Sequence, residues 1–159
     1  MKKQVTFNAE AKEKLIAGID KVANAVKTTL GAKGRLVIIE DYYGNGFATK
    51  DGVTVAKSIE LENRIEDMGA QLIKQVADKT VRTAGDGTTT SVVLAQAMIH
   101  KGLQEIEKGG SPTEIANEIR AAAQVAIEKI KEKSIDIKGD WEKVKQVAVI
   151  SANGDAKHA

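Results

Sequence analysis

Apolar residues recur along most of this chain at the three- and four-residue spacing of helices that bury one face. Leu15, Ile19, Val22, Val26 and Leu30 form the first stripe. Asn8 is placed to cap that helix and Gly31 to end it, with Gly34 continuing the turn. Ahead of it, Gln4–Phe7 reads as a short strand. Behind it, Leu36-Val37-Ile38-Ile39 is a β-branched run that reads as a strand. Tyr42 to Gly46 is turn chemistry, and Phe47–Lys50 is the return strand of a hairpin. Val53–Ile59 predicts a short helix.

Three longer helices follow. Ile65, Met68, Leu72 and Val76 make the stripe of the first, widened by Ile73 and Ala77. Val92, Ala95, Ile99, Leu103 and Ile106 make that of the second. Leu94 and Met98 add apolar surface, which predicts a central position for this helix. Gly109-Gly110 breaks the chain, and Ser111-Pro112-Thr113-Glu114 reads as a capping box with proline at the first helical position. Ile115, Ile119, Ala122, Ala126 and Ile130 form the third stripe. Lys133–Gly139 reads as a connection, and a last amphipathic segment runs from Asp140 through Trp141, Val144 and Val147. The fold class is mainly α: a multi-helix layer with a short N-terminal strand and a β-hairpin.

Composition narrows the function classes. Hydrophobic residues make up 42% of the 159 and charged residues 29%, enough for a packed core with a solvated surface. Phe7, Tyr42, Tyr43, Phe47 and Trp141 are the only aromatics, so the core must be built from Val, Ile, Leu and Ala. Lys and Arg total 24 against 22 for Asp and Glu. So even a balance argues against a nucleic-acid partner, which needs basic residues massed on one face. Without cysteine there is neither a disulfide framework nor a thiolate metal site. His100 and His158 are too few for a histidine site, and His100 reads as a solvated surface residue. No run approaches the ~20 apolar residues of a membrane span. Nor does an apolar segment follow the basic N-terminus. The expectation is a soluble, cytoplasmic protein with no membrane partner.

One segment stands apart from the helical pattern. Ala84-Gly85-Asp86-Gly87-Thr88-Thr89-Thr90 lies between two strongly periodic helices. A helix starting here points unpaired N–H groups and its positive dipole end into the loop. Glycines let a ligand approach the backbone, and threonine hydroxyls can donate to phosphate oxygens. Asp86 would repel a bare phosphate but suits an intervening Mg²⁺. The residues alone read equally well as an interhelical turn, with Gly85 ending one helix and Asp86 or Thr88 capping the next. Two further segments carry charge at turns. Thr28 to Arg35 joins a helix to a strand through Gly31 and Gly34, with Lys33 and Arg35 as cations. Lys50-Asp51-Gly52 follows a strand. Taken alone, the first is a glycine-capped helix end and the second a surface turn. There is no G-x-x-x-x-G-K-[ST] P-loop. Gly85-x-Gly87-x-x-Thr90 half matches the dinucleotide fingerprint but follows a helix where that motif requires a strand.

Taken together, in this order and spacing, these segments resemble the nucleotide site of the GroEL-type (group I) chaperonins. The matching runs are Thr29 to Arg35, Lys50 to Ala56, Ile59 to Glu62, Met68 to Gln71, Ala84 to Thr90, Leu94 to Ala97 and Ile150 to Asn153. The similarity extends from about Val5 to Asp155. It implies that Thr29, Leu30, Gly31, Ala32, Lys50, Asp86, Gly87, Thr88, Thr89 and Thr90 line an ATP pocket. Asp86 would ligate Mg²⁺, and Asp51 would be the carboxylate that assists hydrolysis. Ala32 stands where the family usually has proline.

The resemblance also implies a domain plan. Residues 1–133 would form the first half of the equatorial, ATP-binding domain and 134–159 the start of the intermediate hinge domain. The strand Gln4–Phe7 and the hairpin Leu36–Lys50 would pair with neighbouring subunits of a homo-oligomeric ring. The apical domain, which holds unfolded polypeptide and the lid co-chaperonin, would lie beyond Ala159, as would the aspartate that activates the attacking water. The expected function is that of an ATP-dependent folding machine, with this chain alone hydrolysing ATP very slowly if at all. The alternative is a non-catalytic interaction protein that binds nucleotide weakly and associates with complete subunits.

Overall fold

The computed structural model describes residues 8–31 and 33–151. The expected strand Gln4–Phe7 and Ala32 lie outside the described residues. The chain divides into two compact units, residues 1–104 and 105–159.

In the first unit, helix α1 spans Asn8–Lys27. Ile19, Val22, Ala23 and Val26 on it are buried, as the stripe requires. Leu30 departs from the stripe and is exposed. After Lys27 the chain winds more tightly: Thr28, Thr29 and Leu30 donate to carbonyls three residues back, at 3.3, 3.1 and 3.1 Å. That tighter turn rotates Leu30 off the helical face. A hairpin follows, with β1 (Val37–Glu40) antiparallel to β2 (Gly46–Thr49) and Val37 opposite Thr49. Asp41 holds its turn, Oδ1 accepting from the N–H groups of Tyr43 (2.9 Å) and Asn45 (2.8 Å). The Asn45 N–H is the main reason the Asp41 carboxyl lies below its ordinary pKa.

Helix α2 (Gly52–Ser58) packs Val55 and Ala56 into the same core as α1. Helix α3 (Arg64–Ala84) starts at Asn63, whose side chain accepts from Ile65 and Glu66 N–H. Its buried face is Gly69, Ala70, Ile73 and Ala77. This corrects the expected stripe: Met68 and Leu72 are 62% and 53% exposed. The cause is the closeness of the α1–α3 crossing. A Cβ on Gly69 would lie 2.0 Å from the Leu15 carbonyl oxygen, and one on Gly18 would lie 1.8 Å from that of Glu66. Backbones this close seat small residues at the contact and turn the long side chains outward.

Helix α4 (Thr88–Glu107) is not central within the described residues. Only Thr88 and Val92 on it are buried, Ala95 and Ile99 pack partly against the core, and Leu94 and Met98 are exposed. It is tied to α1 by polar contacts. Asp20 Oδ1 accepts from Gln96 Nε2 at 2.6 Å and lies 2.7 Å from His100 Nε2. His100 is therefore a paired, half-buried side chain rather than a solvated one.

In the second unit, α5 spans Pro112–Lys133 and α6 spans Trp141–Ser151. Neither helix has a buried residue, so the stripe from Ile115 to Ile130 does not form a core among the described residues. The expected capping box is absent too. Ser111 has cap geometry but makes no side-chain cap hydrogen bond. Pro112 has no N–H and a fixed φ, and it starts the helix without that bond.

Candidate functional site

Three loops far apart in sequence meet at one junction in the first unit. The turn after α1 supplies Thr29, which is buried, with its hydroxyl donating to the Val26 carbonyl at 2.8 Å. The Thr29 and Thr89 hydroxyl oxygens lie 3.4 Å apart. The start of α2 closes the third side: a Cβ on Gly52 would lie 2.5 Å from Thr89 Oγ1 and 3.3 Å from Val26 Cγ1. The turn after α1, the start of α2 and the start of α4 therefore meet at Thr29, Gly52 and Thr89.

The loop before α4 is built for an open backbone. Gly85 ends α3 at φ 76°, its N–H donating to the Val81 carbonyl, and Gly87 has φ 83°. A Cβ at either would meet nothing within 4 Å. Left-handed backbone, not lack of space, therefore selects glycine here. The first N–H groups of α4 have no carbonyl partner within the helix. Asp86 is exposed, its Oδ1 accepting from the Gly87 N–H at 2.6 Å.

The threonines do not act as one bank. Thr88 is buried, Thr89 sits half-buried at the junction, and Thr90 is exposed. Successive helical residues point about 100° apart, so a ligand at the helix end would use Thr89 and Thr90 hydroxyls and backbone N–H groups. Ser91 is drawn backwards instead, donating to the Thr88 carbonyl and accepting from Thr80.

Lys50, Leu30 and Gly31 are exposed beside these elements. Asp51 caps α2, accepting at Oδ2 from the Thr54 N–H (2.9 Å) and hydroxyl (2.5 Å). Burial pushes its carboxyl pKa up, but the Thr54 hydroxyl and N–H, the Val53 N–H and the Lys57 charge together hold it below the ordinary value. Asp51 is therefore a carboxylate at neutral pH, suited to orient a water or cation. Sequence reasoning missed Thr54 and the packing role of Gly52. The Asp-x-x-Thr spacing of a helix cap was the available signal for Thr54.

Asp51 and Asp86 are the carboxylates of these loops that could hold a metal ion brought by a nucleotide. Among the described residues no three His, Cys, Asp or Glu side chains converge. Mg²⁺ in nucleotide sites needs only one or two carboxylates, the phosphates and water completing its shell. A shallow groove lined by Gln75, Asp78, Lys79, Arg82 and Thr83 runs along α3, apart from this junction. No helix among the described residues is long and apolar enough to cross a membrane.

A mainly helical chain with a two-stranded antiparallel hairpin matches a chaperonin equatorial-domain fragment. The TCP-1/cpn60 chaperonin family matches residues 22–159, and the chain belongs to that family. It is 52% identical over 153 residues to a protein named Chaperonin GroEL from Methanospirillum hungatei, covering 96% of this chain. The chain spans 28% of that relative's length. A crystal structure of a group III chaperonin in the open state superposes with a TM-score of 0.77 at 26% identity, covering 92% of this chain and 29% of that one.

Proposed function

We propose that this chain is part of a chaperonin subunit of the GroEL type and that the Thr29–Gly52–Thr89 junction is the phosphate end of its ATP site. The observation that carries the reading is the meeting of three distant loops at the Thr29 and Thr89 hydroxyls and Gly52. The higher identity to the GroEL relative supports group I.

In this reading the N–H groups at the start of α4 and the Thr89 and Thr90 hydroxyls receive phosphate oxygens. Asp86 contributes a carboxylate ligand to Mg²⁺, and Lys50 adds positive charge. Leu30 and Gly31 border the rest of the nucleotide. Asp51 assists hydrolysis as a carboxylate. Mg·ATP supplies the electrophilic phosphorus and the metal that offsets charge in phosphoryl transfer to water. The whole subunit would act in a homo-oligomeric ring on unfolded polypeptide with a lid co-chaperonin. Residues 1–133 would belong to its equatorial domain and 134–159 to the start of its hinge.

Calorimetric titration with Mg·ATP tests the site. Asp86→Ala is expected to weaken Mg²⁺-dependent binding far more than Lys33→Ala, because an exposed lysine acts only through screened attraction. Equal losses would remove Asp86 from the metal role.

A further inference from the structure

The hydroxyl of Thr54 does something that a helix cap does not need. The cap is complete once the Thr54 N–H donates to Asp51 Oδ2 at 2.9 Å, a bond that almost any residue at position 54 would supply. The hydroxyl adds a second bond to the same oxygen at 2.5 Å. Hydrogen bonds to an ionised acceptor are short and strong, so the pair fixes the carboxylate rather than merely satisfying it. The backbone beneath is fixed as well, since the Asp51 N–H donates to Thr49 Oγ1 at 3.0 Å at the end of β2. The next residue is Gly52, buried against Thr89. A carboxylate with one oxygen doubly engaged thus stands one residue from the junction.

We propose that Thr54 is a positioning residue for Asp51: its hydroxyl and N–H both engage Oδ2 and so fix the carboxylate one residue from the Thr29–Gly52–Thr89 junction. This rests on the nucleotide reading of that junction. Thr54→Ser keeps the hydroxyl. Thr54→Val keeps the shape and the capping N–H but deletes the hydroxyl, so the two variants separate positioning from helix stability.

The test follows the Asp51 carboxyl carbon by ¹³C NMR in the whole 159-residue chain, against pH and with added Mg·ATP. Thr54→Ser is expected to keep both the protonation midpoint and the Mg·ATP-induced shift. Thr54→Val is expected to raise the midpoint towards the ordinary aspartate value and to diminish the Mg·ATP shift several-fold. An unmoved midpoint in folded Thr54→Val overturns the positioning role, whatever the nucleotide does. If the midpoint moves as expected but saturating Mg·ATP shifts neither Asp51 nor Thr89 in the unsubstituted chain, the nucleotide reading fails instead. Thr54→Ala removes the same hydroxyl with less bulk and replaces Thr54→Val if that variant does not fold.

Discussion

A Cβ on Gly52 would lie 2.5 Å from the Thr89 hydroxyl oxygen, so these two residues lock the start of α2 against the start of α4. The Thr89 side chain is β-branched and half-buried, with little freedom to retreat. Gly52→Ala should force the two helix starts apart, costing about 1–3 kcal/mol, the usual range for overpacking. Chemical denaturation measures that loss. If the junction is the phosphate site, Mg·ATP affinity should fall with it. A Gly52→Ala chain of unchanged stability and affinity would show that the contact relaxes freely.

How much of this was legible in the sequence differs between elements. The stripe of α1 was readable because Ile19, Val22 and Val26 are bulky, and bulk marks their face. The buried face of α3 was not, because Gly69 and Ala70 carry it. Small residues pack by letting backbones approach, which apolar periodicity does not register. For α4 and α5, periodicity marked apolar stripes but could not say whether anything in this chain covers them: only Thr88 and Val92 are buried on α4, and nothing on α5. The three loops of the site were visible as motifs. Their meeting was not, since Thr29 and Thr89 are brought together only by how α1, α2 and α4 pack.

Acid should weaken the fold partly through Asp51. Its folded pKa is depressed below the ordinary 3.8, so its contribution is present above that value and is lost as pH falls through the lower folded value. Asp51→Asn keeps a capping oxygen but cannot titrate. Below about pH 4, its stability should therefore depend less on pH than that of the unsubstituted chain. Unfolding curves taken between neutral pH and the acid limit give the comparison. Parallel curves would mean that Asp51 is not held in its charged form by the cap.

The second unit exposes Val125, Ile130, Ile135, Trp141, Val147 and Ile150, each more than half exposed. A contiguous apolar patch of more than a few hundred Å² marks an association surface on a soluble protein. The isolated chain is expected to self-associate with rising concentration, or to melt with poor cooperativity. Sedimentation velocity across a concentration series checks this. A single monomeric species throughout, with a sharp melt, would contradict it.

In the proposed reading, Mg·ATP seats its phosphates where Thr29, Gly52 and Thr89 meet. Amide shift mapping of the uniformly ¹⁵N-labelled chain tests it most directly. Saturable, Mg²⁺-dependent shifts are expected in three stretches alone: Thr29–Gly31, the Asp51 and Gly52 amides, and Asp86–Thr90. Saturable shifts centred elsewhere, or none in those three loops at saturating Mg·ATP, would contradict it.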